Sequence, residues 1–198
     1  QYSLCGDPSH PSELTLAVLN EANSRGGSQW VHHSINTGDV LQFRGPRNHF
    51  PFDETAGQVV FVAAGIGITP LIPMALKAKQ LGIDYVLHYS GKSRKNMAFV
   101  DSLLSVHGNR LVLHISDEAS RANYKLVLKD FSTEVQVYAC GPQGLLTELE
   151  SLCAGLPDVI LKVEYFQSSA NSLDPLHEHA FEIELKDSGL VVQVPPDR

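Results

Sequence analysis

The chain has little of what marks a secreted, metal-stapled or nucleic-acid-binding protein. Its 198 residues include only three cysteines, Cys5, Cys140 and Cys153. Their odd number and wide spacing give neither a disulfide framework nor a clustered metal-ligand pattern. That usage fits a reducing compartment, so the expected location is the cytoplasm. Basic residues are also in deficit, 15 Lys and Arg against 22 Asp and Glu, for a formal net charge of −7. This balance argues against a nucleic-acid surface and, more weakly, against anionic membranes. No internal repeat or low-complexity tract is present, and the chain opens on Gln1-Tyr2-Ser3 without an initiator methionine. That opening reads as a fragment whose N-terminal targeting is not legible.

One hydrophobic run stands out. Residues 58–76 carry no charge and approach bilayer-spanning length. Gly65, Gly67, Pro70 and Pro73 interrupt it, and its first part is β-branched. A buried parallel strand feeding a turn and then a helix explains the run better than a membrane span. With 43% hydrophobic residues the chain can build an ordinary core, as one large or two small domains.

Residues 1–55 read as all-β, with a strand pattern at 14–19 and a second short strand at 39–45. From 56 to 167 strands alternate with helices. Strands are expected at 59–63, 85–89, 111–115, 135–138 and 161–166, and helices at 71–81, 97–106 and 144–154. This alternation predicts right-handed crossovers and a parallel, doubly wound α/β sheet. Residues 168–178 are polar and read as a linker. Two further strands, 181–185 and 190–194, flank the turn-forming Asp187-Ser188-Gly189 and predict a hairpin. A lone hairpin is barely stable, so 179–198 reads as the start of another domain.

Two turns carry the chemistry. Gly65-Ile66-Gly67-Ile68-Thr69-Pro70 follows the first α/β strand, and Cys140-Gly141-Pro142 ends the fourth. Each reads as a strand ending in a tight bend that opens a helix, which leaves free N–H groups for an anion such as a pyrophosphate. Proline replaces the third glycine of the usual fingerprint, but in a first helical turn it costs little. A ligand-free strand-to-helix turn is the alternative for either bend. Two bends facing one crevice favour a dinucleotide and electron transfer, with Cys140 at the crevice. The alternative for Cys140 is a buried structural cysteine.

Arg25-Gly26-Gly27-Ser28 precedes a possible helix through His33. Its glycines expose consecutive N–H groups, and Arg25 and Ser28 add a guanidinium and a hydroxyl for a phosphate; a surface loop is the alternative. His32-His33 and His177-Glu178-His179 are poor chelators by themselves, so no metal site is expected. Asp117-Glu118 after the third α/β strand would repel a 2′-phosphate and favour NADH, unless it is a solvated acidic loop.

In this order the segments resemble the ferredoxin–NADP reductase superfamily. They are most similar to the reductase components of Rieske-type oxygenases, the phthalate dioxygenase reductase group, which includes the vanillate demethylase and carnitine monooxygenase reductases. The residues that carry the likeness are Gln1-Tyr2-Ser3, Arg25-Gly26-Gly27-Ser28, Gly45-Pro46-Arg47-Asn48-x-Phe50-Pro51, Gly65 to Pro70, Cys140-Gly141-Pro142 and Glu164-Tyr165-Phe166.

The resemblance implies a flavin-binding antiparallel β-barrel, truncated here, then an NADH-binding α/β domain and the opening hairpin of a β-grasp ferredoxin domain. Tyr2 would pack on the isoalloxazine, with Ser3 and Val18 beside it. Gly26, Gly27 and Ser28 would cradle the phosphate of FMN, the flavin implied rather than FAD. Thr69 would lie between flavin and nicotinamide, and Phe166 near the flavin. Gly65, Gly67, Pro70, Cys140, Gly141 and Pro142 would hold NADH, with Cys140 beside the nicotinamide C4. Asp117 falls where NADPH-dependent relatives carry Ser-Arg, and Ser93 and Arg94 would contact pyrophosphate or adenosine. A [2Fe–2S] cluster would belong to the ferredoxin domain, and its four cysteines do not occur in this chain. The implied activity is an NADH-dependent FMN oxidoreductase serving a Rieske-type oxygenase. A flavin reductase with another acceptor, or a non-catalytic nucleotide-binding redox sensor, remains open.

Overall fold

The uncharged run 58–76 folds as strand, turn and helix. β1 (Gln58–Ala64) is buried through its middle, Gly65–Ile68 makes a 3₁₀ turn, and α2 (Leu71–Leu81) follows. A strand enclosed on both faces has no polar side to alternate with, which explains its continuous apolar sequence. These features come from a computed structural model, which describes residues 2–10, 12–22, 24–43, 45–119, 121–129, 131, 133–166, 181–185 and 190–194. The chain divides into two units, residues 1–166 and 167–198. Among the described residues no helix is long and apolar enough to cross a membrane.

In the first unit, β1 is the centre of a five-stranded parallel sheet. Its spatial order is β3 (Leu111–Ile115), β2 (Asp84–Gly91), β1, β4 (Val135–Cys140) and β5 (Val159–Glu164). Val59, Phe61 and Ala63 pack with Leu71, Ala75 and Ala78 of α2 and with Val100 and Leu103 of α3 (Val100–His107). Val60 and Val62 point the other way, towards Leu128 of α4 (Tyr124–Leu128) and Leu146 and Leu149 of α5 (Gln143–Cys153). The period-two alternation of β1 therefore serves two apolar layers, one on each face. After β3 the chain returns to the far side of β1, so the winding reverses between β1 and β4. In sheets of this kind a ligand crevice lies outside the carboxyl ends of the strands at that reversal.

The α/β elements form where the periodicity placed them, with small shifts. The helix expected at 97–106 begins at Val100, because Met97 lies against Gly91 in the preceding loop. α4 is too short to show a period. It starts at Asn123, whose side chain accepts from the Leu126 N–H at 3.2 Å.

The first 55 residues differ more. α1 (Gly27–Ser34) forms, but the strands expected at 14–19 and 39–45 do not appear among the described residues. Leu16 makes only an isolated antiparallel bridge to Leu4, supported by the Cys5 N–H on the Thr15 carbonyl at 3.0 Å. An alternating pattern makes a strand only when a neighbouring backbone completes the ladder. Here Leu14, Leu16, Val40 and Phe43 remain exposed, Val40 at 92%.

In the second unit β6 (Phe181–Leu185) and β7 (Leu190–Val194) pair antiparallel, Phe181 opposite Val194, as the hairpin pattern requires. The expected linker 168–178, the turn 187–189, His177, His179, Gln1 and residues 195–198 lie outside the described residues.

Candidate functional site

The two bends meet at the reversal point. Ala63 and Cys140 are paired in the parallel ladder of β1 and β4, so both strands reach the same edge together. A Cβ on Gly67 would lie 2.3 Å from the Cys140 carbonyl oxygen and 2.7 Å from the Gly141 nitrogen. Only a residue without a side chain permits that approach. A Cβ on Gly141 would in turn sit 3.1 Å from that of Ala64. Gly65, Gly67, Pro70, Cys140, Gly141 and Pro142 are thus assembled on one edge. Pro142 opens α5, and Pro70 precedes the first residue of α2. Thr69 is 1% exposed and donates its hydroxyl to the Ile66 carbonyl at 2.9 Å, closing the 3₁₀ turn.

Cys140 is fully buried. Burial, and then the Glu164 carboxyl beside it, push its thiol well above the ordinary range, so it stays protonated. Glu164 is paired with Cys140 across the β4–β5 ladder. Burial raises its own carboxyl, while a hydrogen bond from Ser3 works the other way. Ser3 Oγ donates to Glu164 Oε2 at 3.1 Å across 161 residues of sequence. Glu164 is the functional candidate that residue-by-residue reading left without a role. Its signal was an acidic residue closing an otherwise apolar parallel strand, level with Cys140. This arrangement offers no thiolate nucleophile. It offers a carboxyl that can hold a proton and a serine that can pass one on.

Next to Ser3, Tyr2 leads to the second half of the site. A Cβ on Gly27 would lie 3.4 Å from the Tyr2 hydroxyl, so Tyr2 stands beside the start of α1. Tyr2, Leu16, Val18, Trp30, Ile35 and Leu41 help to line a largely apolar groove of about 460 Å³. Gly26 takes φ 107°, and its N–H bonds Ser24 Oγ at 3.0 Å. Ser28 is buried, its hydroxyl accepting from the Glu21 N–H at 3.3 Å, and Arg25 is exposed. An aromatic-walled groove next to a glycine-rich helix start fits a flat ring system with an anionic tail.

Ser93, Arg94 and Asp117 occupy the outer part of the same sheet edge, after β2 and β3. The Asp117 N–H bonds the Lys92 carbonyl at 3.0 Å, and Arg94 reaches Glu118 at 3.4 Å. Asp117 is exposed. Phe166 follows β5 and is 44% exposed. Among the described residues no group of three or more His, Cys, Asp or Glu could hold a metal. His32 and His33 bond the carbonyls of Val18 and Gln29, each at 2.7 Å. Cys5 and Cys153 are buried and free, as core residues.

No protein-family model matches the chain. Among curated proteins it is 36% identical over 194 residues to the phenoxybenzoate dioxygenase subunit beta of Ectopseudomonas oleovorans, covering 98% of this chain and 60% of that protein. Among solved structures it matches phthalate dioxygenase reductase, described as a modular structure for electron transfer from pyridine nucleotides to [2Fe–2S]. The TM-score is 0.79 and the identity 28%, over 100% of this chain and 62% of that one. By sequence and fold the chain resembles the phthalate dioxygenase reductase-like group. An intact type IV self-sufficient cytochrome P450 monooxygenase also matches, with TM-score 0.89 and 47% identity over 100% of this chain and 26% of that one. The chain therefore spans about 60% of the curated relative and a quarter of the P450 chain.

Proposed function

We propose that this chain is the flavin- and NADH-binding part of an oxygenase reductase. Residues 1–55 belong to the flavin side, 56–167 bind NADH, 168–178 link, and 179–198 open a [2Fe–2S] ferredoxin domain. The single observation that carries the reading is the backbone contact of Gly67 with Cys140. It brings both bends to one crevice, where Ser3 ties the flavin side to Glu164.

Bound flavin would accept the electron pair of NADH and release it one electron at a time, which the protein's own side chains cannot do. What the chain contributes is geometry. Gly65, Gly67, Gly141 and Pro142 shape the edge on which a pyrophosphate sits, with Pro70 fixing the entry to α2, and Ser93 and Arg94 extend it outward. Asp117 selects NADH by repelling a 2′-phosphate. Gly26, Gly27, Ser28 and Arg25 hold the phosphate of FMN, with Tyr2, Val18 and Phe166 about its ring and the buried Thr69 bracing the bend that the rings would face. Cys140, protonated and fully buried, packs behind that edge and keeps it neutral. Glu164, its carboxyl raised by burial and bonded by the Ser3 hydroxyl, is the acid–base group nearest that edge.

The acceptor is an oxygenase component, and the setting is the cytoplasm. A Rieske-type partner is one candidate. A second reading, in which the acceptor is a cytochrome P450, is favoured by the 47% identity to the self-sufficient monooxygenase against 36% to the phenoxybenzoate enzyme. Anaerobic addition of NADH to the flavin-loaded full-length protein tests the core. Loss of the flavin's visible absorption supports the reading, and an unchanged spectrum overturns it. A carbon monoxide difference spectrum of that protein then separates a haem acceptor from a Rieske centre.

A further inference from the structure

We propose that Asp53, Gln136, Tyr138 and Lys162 form a lock that sets the approach of the flavin side to the nucleotide side. The inference rests on the function proposed above.

Tyr138 lies at 0% exposure in the middle of β4. Its hydroxyl donates to Gln136 Oε1 at 2.9 Å and accepts from the Asp53 backbone N–H at 2.8 Å and from Lys162 Nζ at 3.0 Å. Gln136 Nε2 donates to Asp53 Oδ2 at 2.7 Å, and Lys162 Nζ to Gln136 Oε1 at 2.9 Å. Phe50 and Phe52 flank the Tyr138 ring at 5.6 and 5.4 Å, and the Lys162 ammonium stands 5.0 Å above it. The Thr55 hydroxyl and then the Gln136 amide hold the Asp53 carboxyl down at about 2, so it is ionised at any working pH.

An apolar patch would glue this segment equally well, but it would tolerate sliding. Directional bonds from half-buried Asp53 and Lys162 to buried Gln136 and Tyr138 fix one register, and a partly made network at these buried groups is costly. The place of the network matters as much. Gln136, Tyr138 and Cys140 lie along one face of β4, and Lys162 and Glu164 on β5 are the partners of Tyr138 and Cys140. One strand repeat, about 7 Å, separates the lock from Cys140 and Glu164. The N-terminal part of the unit is therefore bonded to β4 and β5 at two levels, Ser3 on Glu164 at the rim and Asp53 on Tyr138 beneath it. These four are positioning residues. They touch no cofactor and act through the segment they seat.

The test uses Tyr138→Phe and Lys162→Met, which keep the bulk and remove the bonds, in the flavin-loaded full-length protein. Amide exchange over residues 50–56 is expected to rise about tenfold in both, with or without flavin. The long-wavelength band given by stacked nicotinamide and flavin should weaken. Flavin reduction at saturating NADH should slow about tenfold or more while the Kd for NADH stays within about twofold, since a small misplacement costs rate before affinity. If Tyr138→Phe does not fold, Lys162→Met carries the test. Unchanged exchange at 50–56, or raised exchange with an unchanged band and rate, overturns the lock. A wild type that NADH does not reduce removes the underlying functional reading instead.

Discussion

Gly67 rests on the carbonyl of Cys140, and no side chain fits between them. The atom a substitution would add falls 2.3 Å from a backbone oxygen that is itself fixed in the β1–β4 ladder. The clash is with backbone, so no rotamer relieves it. Gly67→Ala should destabilise the protein by about 1–3 kcal/mol through overpacking. It should also weaken NADH binding, because relief requires the two bends to part. Chemical denaturation and NADH titration check both effects. An alanine variant with wild-type stability would mean that the bends are not in contact.

Glu164 should matter through its proton rather than its shape. Glu164→Gln keeps a group that can accept from Ser3 but cannot titrate. Stopped-flow reduction of bound flavin by NADH should slow by about a hundredfold, the lower end of general acid–base effects, with NADH affinity nearly unchanged. A reduction rate and pH profile like those of the wild type would confine Glu164 to a structural role.

Cofactor choice should move with the acidic loop. Asp117 is exposed beside the Arg94–Glu118 pair, so replacing it disturbs little of the fold. Asp117→Ser should raise kcat/KM for NADPH by about tenfold, roughly one like-charge repulsion near a protein surface, and leave NADH within about threefold. Steady-state rates with the two nucleotides decide it, and an unchanged ratio would place the 2′-position elsewhere.

Stability should fall in mild acid for a reason far from the crevice. His88 is buried, its Nδ1 lies 2.9 Å from His114 Nε2, and its ring stacks on that histidine. Burial, then His114, lower its pKa to about 4, below the ordinary 6.5. A histidine lowered on folding is neutral in the native state, so its contribution is intact above pH 6.5 and is lost as pH falls towards 4. Between pH 6.5 and 5 this linkage amounts to about 2 kcal/mol. Urea unfolding at the two pH values should show that loss, and His88→Gln should flatten the dependence. A slope unchanged by that substitution would assign the acid sensitivity to other groups.

Several of these features were legible in the chain itself. The β1 and α2 boundaries, the glycine bends and the two hairpin strands follow from hydrophobic period and from glycine and proline positions, which are local properties. The 14–19 and 39–45 segments show where that logic ends. Leu14 and Leu16, and Leu41 and Phe43, alternate as strand residues do, yet without a pairing backbone they make a single bridge and stay exposed.

The amino-acid order alone determined the alternation of strand and helix, the places where the chain bends, and the lack of charge along β1. Only the tertiary structure decided that Ser3 meets Glu164 across 161 residues, that His88 lies on His114, and that Tyr138 receives the Asp53 N–H. Those contacts depend on which strand lies beside which. That neighbourhood is fixed by the winding of the whole sheet, and no window of sequence contains it.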